Sequence, residues 1–470
     1  MIYFLGILIS LAVGFFSIRL LIAGRLNLIP HILLGLVFGL GIDGYTVFYT
    51  HILFNQFNRF LPVGIVTLVI LILYIIQSRE QLQLVSLRAK RNNLFKEIAS
   101  SLKNVPRNDT LLKNTRHNGR IKKYALGLLA LCVLAIPLVI SAHYYPLGGW
   151  DAWSCWNLKA KFIFLGKENW KDMLSPGLWR SNTHYPILWP LINVWFWDLS
   201  GRFNQAVPMF NSIVFALLTA GILLFGIFEL TGMILPSILA AVVVTALPLG
   251  VTLYTSQYSD ALLGLFLLSA FISLLLAEKY KLPKLKILSM AFLGLMSFTK
   301  NEGLIAACIM ALGIFWHERS HKKELKPLLF SFFIAILPTI IFTLFMAPKN
   351  EAFINGLTSM EKPASWGRLI VILIYPCFEF ISGKWNGFWL LTLGGVLLAG
   401  RRLWQSTLGL MGASLILYLA VVMAYYAVNT FFEINWWLST TLSRILFTLV
   451  PTIVLWIGVA LLTPAPAKKQ

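Results

Sequence analysis

Apolar runs separated by short polar stretches recur along the whole 470-residue chain. Thirteen such runs lie at about 1–23, 30–50, 62–77, 124–143, 206–230, 233–253, 259–277, 286–298, 303–316, 327–347, 386–400, 404–427 and 444–463. A helix needs roughly 20 apolar residues to cross a bilayer. The pattern therefore predicts an all-α polytopic membrane protein with about 13 transmembrane helices. The composition agrees, because only 12% of residues are charged, against about a quarter in soluble proteins.

The distribution of charge predicts how the helices are oriented. Residues 78–123 carry twelve Lys or Arg and three Asp or Glu, and such basic loops face the cytoplasm. Alternation from there places 278–286, 317–326, Arg401-Arg402 and Lys468-Lys469 in the cytoplasm as well. The N-terminus is then outside and the C-terminus inside. This accounts for the net charge of +21 without a nucleic-acid partner.

This orientation holds only if residues 366–384 do not cross the membrane. Their apolar core is short, Pro376 interrupts it, and Arg368, Glu379 and Lys384 lie along it. We therefore expect a helix lying in the outer interface. The predicted divisions are a three-helix membrane segment (1–77), a basic cytoplasmic loop (78–123), a main module (124–463) and a cytoplasmic tail (464–470).

The unexplained polar residues fall on the predicted outer face. The first large external loop, 144–205, begins with the sequence GGWDAWSCWN and later contains SNTHYP. Candidate site residues in this loop and in the later external turns are Trp150, Asp151, Trp153, Lys159, His184, Tyr185, Asp260, Lys300, Glu302 and Arg444. Polar groups near membrane depth are costly and by default indicate function.

Structural explanations compete for several of these residues. Tryptophans at an interface often form an anchoring belt, and we expect that role for Trp436 and Trp437. Lys300 and Glu302 can simply pair with each other at a helix end. An aspartate beside a helix can be an N-cap. Asp151 is harder to explain in this way, because tryptophans and glycines restrict its solvent, which suits a general base.

Together the outer-face residues supply one carboxylate on a loop and several cations at the membrane boundary. That combination suits a site that holds an anionic group in the interface and deprotonates a nucleophile. A lipid-linked phosphate is such an anion, because its chain stays in the bilayer while its phosphate lies level with the cations.

With these motifs the sequence resembles the GT-C superfamily of polyprenyl-phosphate-sugar-dependent membrane glycosyltransferases. It is most similar to the bacterial branch near the protein O-mannosyltransferases and the aminoarabinose transferase of lipid A. Trp150-Asp151-Ala152-Trp153 matches the acidic motif of the family's first external loop, and His184-Tyr185-Pro186 matches its Lys/His-x-Pro motif. TKNEGL (299–304) and WWLSTTLSR (436–444) resemble later external motifs. The resemblance covers roughly 124–463.

The resemblance implies a GT-C-like fold and an inverting sugar transfer in the bacterial inner membrane, on its extracytoplasmic face. Asp151 would be the general base, and Arg444, Lys300 and His184 would bind the donor phosphate. The implied substrate-binding residues are Trp150, Trp153, Tyr185, Asp260, Glu302 and Lys159. Partners would be a polyprenyl-phosphate-linked sugar, a glycan or lipid acceptor and membrane lipids, with no nucleic acid.

Two questions stay open at the level of sequence. Some relatives carry a second acid after the first, whereas Ala152 follows Asp151 here. No metal ligands are assigned, and a divalent cation stays open as a cofactor. The alternative function is a transporter or flippase of lipid-linked or envelope precursors, which would need internal repeats and broken helices meeting at mid-membrane.

Overall fold

The computed structural model describes residues 2–22, 24–54, 61–62, 64–70, 72, 75–76, 109–350, 354 and 365–463, and these contain helices and turns but no strand. The helices are α1 (Ile2–Ile22), α2 (Leu28–Phe54), α3 (Asp109–Tyr144), α4 (Asn157–Leu165), α5 (Leu188–Ser200), α6 (Ala206–Thr231), α7 (Ile234–Thr245), α8 (Pro248–Thr255), α9 (Ser259–Tyr280), α10 (Lys284–Ser297), α11 (Asn301–Glu318), α12 (Lys322–Phe345), α13 (Trp366–Ile381), α14 (Phe388–Ala399), α15 (Ser406–Val428) and α16 (Ile434–Leu462). A π-helical turn (Ala152–Trp156) precedes α4, and 3₁₀ turns lie at Lys167–Leu174, Pro176–Ser181, Gly383–Trp385 and Gly400–Trp404.

Eight of the described helices are long and apolar enough to cross a membrane, namely α1, α2, α3, α6, α9, α12, α15 and α16. The pair α7 and α8 would make a ninth span, bent by 69°. The protein is therefore an all-helical, multi-pass membrane protein. The expected runs 286–298, 303–316 and 386–400 correspond to α10, α11 and α14, which do not meet that test. The count of thirteen stays a prediction, since the run 62–77 lies partly outside the described residues.

The bend between α7 and α8 follows from a proline. Leu247 precedes Pro248 and has extended backbone angles, as expected because the proline ring disfavours a helical residue before it. The break turns the chain so that α8 ends at Thr255 and leads into the tight turn before α9. That turn forms part of the site described below.

Helix α9 is the centre of the bundle. Its apolar stretch is entirely buried within the protein, whereas only 22% of that of α3 and 28% of that of α12 is buried. Helices α3 and α12 therefore present most of their apolar surface outward, as lipid-facing helices do. Asp260 lies in the first turn of α9, so its side chain is enclosed by the surrounding helices.

Helices α1 and α2 form a hairpin whose backbones approach closely at glycines. A Cβ atom on Gly14 would lie 1.8 Å from the Gly35 carbonyl oxygen, and one on Gly39 would lie 1.7 Å from the Ser10 carbonyl oxygen. Small residues at such contacts allow membrane helices to pack backbone against backbone. The hairpin in turn packs against α5, because a Cβ on Gly44 would meet the side chain of Leu188.

Polar contacts gather the predicted cytoplasmic turns at one end of the bundle, which we call the basic end and define by Arg120, Lys279, Lys286 and Arg402. Arg120 Nη2 donates to Glu229 Oε2 at 2.7 Å, joining α3 to the end of α6. Lys279 and Arg402 line one cavity. Glu278, Lys286 and Glu318 line a neighbouring one. The basic turns therefore share one end, as the charge distribution predicts.

The chain between 78 and 123 differs from the predicted loop. Residues 78–108 lie outside the described residues, but α3 begins at Asp109, so 109–123 are helical. The predicted tail 464–470 also lies outside the described residues.

Residues 366–384 form α13 followed by the 3₁₀ turn Gly383–Trp385, and the position of this helix in the outer interface stays a prediction. Large apolar side chains at helical spacing are exposed along it, namely Trp366, Ile370, Leu373, Ile374, Phe378 and Ile381. Arg368 instead donates to the carbonyl oxygens of Tyr426, at 2.8 Å, and Asn429, at 2.5 Å. A helix with its charges against the protein and an exposed apolar stripe fits an interfacial position.

Candidate functional site

Five charged residues from four separate parts of the chain meet at the end of the bundle opposite the basic end. Arg444 Nη1 donates to Asp151 Oδ2 at 2.6 Å, and Arg444 Nη2 donates to Asp260 Oδ2 at 2.7 Å. Lys300 Nζ lies 3.1 Å from Asp260 Oδ1 and 3.4 Å from Glu302 Oε1. We call Asp151, Asp260, Lys300, Glu302 and Arg444 the ion-pair cluster. All five were candidates from sequence, and the structure brings them together.

Asp151 is placed by a glycine pair that lies against the turn before α9. Gly149 N donates to the Ser256 carbonyl oxygen at 3.0 Å, and a Cβ on Gly149 would lie 2.4 Å from the Tyr258 hydroxyl oxygen. Gly148 has φ +72°, a left-handed conformation that favours glycine. These contacts hold the start of segment 144–205 over the first turn of α9, where Asp260 lies.

Lys300 and Arg444 reach the cluster from two other helices. Lys300 occupies the extended position just before α11, and the preceding Phe298 carbonyl oxygen accepts a hydrogen bond from Leu188 N at 3.0 Å. Arg444 lies inside α16 and not, as expected, at the start of the last span. Glu433 caps α16 by accepting from the backbone N–H groups of Asn435 and Trp436, so the helix begins ten residues before the apolar run expected at 444–463.

Two aromatic rings border the cations of the cluster. The Arg444 guanidinium lies 4.5 Å from the centre of the Tyr258 ring, and Lys300 Nζ lies 5.9 Å from that of Tyr185. Such contacts favour retention of the cation. Burial lowers the pKa of Lys300, but Asp260 and Glu302 outweigh it, so its pKa is raised above the ordinary value. Lys300 is therefore charged at neutral pH.

The cluster contains three carboxylates and two cations, and the carboxylates differ in access. The side chain of Asp260 is 1% exposed, whereas that of Asp151 is 26% exposed. Asp260 thus acts as a buried counter-ion for Arg444 and Lys300, which differs from its predicted contact with substrate. Asp151 and Glu302, whose side chain is 25% exposed, are the acids that solvent or a substrate can reach, and of these two it is Asp151 that pairs with Arg444.

Lys159 holds the backbone of the SNTHYP segment. It is buried, and its Nζ donates to the carbonyl oxygens of Asn182 at 2.7 Å and Tyr185 at 3.3 Å. Burial lowers its pKa. The ring of Tyr185 stacks on Trp156 with 5.7 Å between centres. Lys159 therefore positions Tyr185 beside the cluster, and the predicted direct contact of Lys159 with substrate stays a prediction.

His184 lies in the same segment. The sequence predicts that it binds the donor phosphate as a cation, but in the structure its imidazole is not charged. Burial, followed by the charge of Lys159, lowers the pKa of His184 to about 4. At neutral pH the imidazole is therefore neutral and can offer only a hydrogen bond. Sequence cannot reveal this, because the burial of the ring depends on how the loop folds.

The tryptophans near Asp151 do not all enclose it. Trp150 and Trp153 form an edge-to-face pair with 4.4 Å between ring centres, and they are 61% and 48% exposed. Trp156 is buried. Of the expected belt, Trp436 is exposed, but Trp437 is buried and its ring packs against those of Tyr425 and Tyr426.

Sequence reasoning missed two sets of buried polar residues. Asp43 in α2 is buried and accepts from Ser10 Oγ at 2.5 Å; as the only acid within the run 30–50, it is visible in the sequence. The second set is a chain of side-chain amides, Gln257–Asn157–Asn193–Asn211, which ends at the Tyr3 hydroxyl. Because Tyr3 begins α1 and Asn211 lies near the start of α6, the start of α1 lies at the same end as the cluster.

Within the described part of the chain, no three His, Cys, Asp or Glu side chains converge as metal ligands would. Both oxygens of Asp260 already face Arg444 or Lys300. The cluster in this arrangement does not offer the set of oxygen ligands that a divalent cation needs.

Comparison of the chain with protein-family models, with curated proteins and with solved structures finds no match in any of the three.

Proposed function

We propose that the protein is a membrane glycosyltransferase with a GT-C-like fold. It moves a sugar from a polyprenyl-phosphate donor to a hydroxyl of an extracytoplasmic glycan, lipid or envelope polymer. The observation that carries the proposal is the ion-pair cluster, in which Arg444 pairs with the partly exposed carboxylate of Asp151 and shares the buried Asp260 with Lys300.

The reaction needs a base for the acceptor and fixed positive charge for the leaving group. The acceptor hydroxyl gives its proton to Asp151 as its oxygen forms a bond to the sugar C1. The bond between C1 and the phosphate oxygen breaks, and polyprenyl phosphate leaves with that electron pair. Attack opposite the leaving group inverts C1. Arg444 and Lys300 then face the charge that develops on the phosphate, where preorganised cations stabilise a transition state most effectively.

Asp260 supports this assignment because it fixes both cations before substrate arrives. Asp260 is buried and bonded to both Arg444 and Lys300. It therefore restricts how far these two side chains can move toward a bound substrate. Preorganisation of this kind avoids a reorganisation cost during the reaction. Asp260 is therefore assigned a positioning role, and contact with the donor falls to Arg444 and Lys300.

The remaining residues are assigned by their access. Trp150 and Trp153 form the exposed aromatic surface next to Asp151, and we assign them to the acceptor side. The side chain of Glu302 is 25% exposed and pairs with Lys300, and we assign it to the hydroxyl groups of the sugar. His184 contributes as a neutral hydrogen-bond donor beside Lys159 and Tyr185.

The proposed location is a bacterial inner membrane, with the cluster on the extracytoplasmic side. The support is the grouping of Arg120, Lys279, Lys286 and Arg402 at the opposite end, combined with the positive-inside rule. Lipid-linked donors present their phosphate at this boundary. The thirteen-span topology, with α13 in the outer interface, belongs to the same proposal.

The alternative, a transporter or flippase, would use polar groups at mid-membrane. Asp43 is the described residue that fits best, because a buried carboxyl within a membrane helix is expensive and often functional. Asp43 is, however, fully enclosed between α1 and α2 and bonded to Ser10. The ion-pair cluster, with the partly exposed Asp151 and the cations Arg444 and Lys300, lies at the end opposite the basic end. It favours a transferase over a transporter.

Proteoliposomes given a panel of radiolabelled polyprenyl-phosphate sugars and extracted acceptors test the proposal. We expect label to pass from the lipid donor to an acceptor, with release of polyprenyl phosphate. Asp172→Asn is the matched control, since Asp172 is an exposed acid in the same external loop. Translocation of an intact donor across the vesicle membrane, without release of polyprenyl phosphate, would support the transporter instead.

A further inference from the structure

The two edges of the Arg444 guanidinium are held by carboxylates of different exposure. Nε and Nη2 donate to Asp260 Oδ2, at 3.2 and 2.7 Å, while Nη1 donates to Asp151 Oδ2 at 2.6 Å. A guanidinium can serve two anions in this way because its donors form a rigid planar fork. An incoming anion that binds Arg444 has to displace one of these two carboxylates.

Asp260 is the permanent partner. Its side chain is 1% exposed, and Lys300 Nζ binds its second oxygen. Removing it from Arg444 would leave a buried charge without compensation, which is strongly unfavourable. Its backbone belongs to α9, the most enclosed helix of the bundle.

Asp151 is the exchangeable partner. Its side chain is 26% exposed, and the contact made by its carboxylate in the described structure is the one with Arg444. It precedes a π-helical turn, Ala152–Trp156, a feature that frequently accompanies functional sites. A partly exposed ion pair contributes little stability, so the phosphate of a substrate can compete for Nη1.

We propose that Asp151 is the resting counter-ion of Arg444, and that the phosphate of a lipid-linked substrate takes its place at Nη1 while Asp260 stays bound. This inference rests on the proposed function for the identity of the phosphate. Its consequence is that donor binding frees the base. With Nη1 bound to the phosphate, Asp151 Oδ2 is released from its contact with Arg444 and is open to the acceptor hydroxyl.

The same exchange would assist product release. After transfer, Asp151 carries the acceptor's proton and cannot pair with Arg444 as an anion. Loss of that proton to solvent restores the carboxylate, which then competes with polyprenyl phosphate for Nη1. Base recovery and departure of the product are thereby coupled at one nitrogen atom.

The experiment measures, by calorimetric titration, how undecaprenyl phosphate and inorganic phosphate bind to the full-length protein in detergent. Asp151→Asn and Asp151→Ala should bind phosphate about twofold to fivefold more tightly than the parent, because an internal competitor has been removed. Asp172→Asn should bind like the parent, and Arg444→Ala should lose affinity at least tenfold. Gel filtration and thermal unfolding confirm that each variant is folded. If Asp151→Asn does not fold, Asp151→Ala provides the same comparison.

Tightening with both probes, or with undecaprenyl phosphate alone, supports the inference. Tightening with inorganic phosphate alone keeps the exchange at Arg444 but removes the lipid donor from the proposed function. Equal or weaker binding by both Asp151 variants overturns the inference, even if the parent transfers sugar. Absence of binding by every variant and by the parent overturns it as well.

Discussion

Asp260 at the start of α9 accepts two hydrogen bonds from the guanidinium of Arg444 in α16, 184 residues further along the chain. This contact joins the most enclosed helix of the bundle to the last one. Lys300 binds the other oxygen of Asp260, so one buried carboxylate orients both cations of the site. The chemistry proposed here depends on that arrangement more than on any single motif.

Asp260→Asn should therefore destabilise the protein. The substitution keeps the shape of the side chain but leaves two largely buried cations without their counter-charge, and breaking a buried pair costs about 3–5 kcal/mol. Thermal unfolding in detergent should show a clear fall in the midpoint temperature, whereas Asp172→Asn should unfold like the parent. Equal midpoints for Asp260→Asn and the parent would show that Asp260 does not hold the cations in place.

Close packing of α1 against α2 gives a second prediction. In Gly39→Ala the new methyl group would meet the Ser10 carbonyl oxygen, and backbone cannot yield as a flexible side chain can. Overpacking of this kind costs about 1–3 kcal/mol. Gly394→Ala is the matched control, because no atom lies within 4 Å of a Cβ there. A Gly39→Ala protein as thermally stable as Gly394→Ala would contradict the packing of the hairpin.

His184 should make acid pH less favourable to folding. Its pKa of about 4 in the folded protein is below the ordinary value of about 6.5. As the pH falls through that interval, the unfolded chain takes up a proton that the folded chain does not, so stability is lost. In His184→Gln the loss between pH 7.5 and 5 should be smaller by on the order of 1 kcal/mol. Identical pH profiles of thermal unfolding would show that the ring is not buried beside Lys159.

Orientation can be tested with single cysteines in a background without the four native ones. Asp172 and Lys122 are both exposed; Lys122 lies in α3 before its apolar run, and Asp172 lies in the segment that follows the other end of α3. A membrane-impermeant maleimide should label Asp172→Cys in intact cells and Lys122→Cys only after permeabilisation. The reverse pattern would place the ion-pair cluster in the cytoplasm and remove the extracytoplasmic acceptor from the proposal.

The sequence predicts the helical class and the members of the cluster well, because apolar runs and isolated charges beside them are local signals. Asp151, Asp260, Lys300 and Arg444 can each be identified in this way. Their pairing cannot, because it depends on where α16 begins. Glu433 caps that helix, although caps are more often Ser, Thr, Asp or Asn, and Arg444 consequently lies within the helix.

Burial is the other property that the sequence does not reveal. Lys159 and His184 look like accessible polar residues of an external loop, yet the first binds backbone carbonyls and the second is neutral. Asp43, by contrast, was open to prediction as a lone acid in an apolar run. Tyr258 gives no comparable signal, because its position under Arg444 depends on the bend between α7 and α8.

The most direct test of the proposed transferase is the rate of sugar transfer by Asp151→Asn in the proteoliposome assay, with Asp172→Asn as control. The substitution keeps the size of the side chain but removes its capacity to accept a proton. General-base catalysis contributes a factor of about 100 to 10,000. We predict a fall of that order in a folded protein whose binding of polyprenyl phosphate is retained or tighter. Transfer at the parent rate by a folded Asp151→Asn protein would contradict the account.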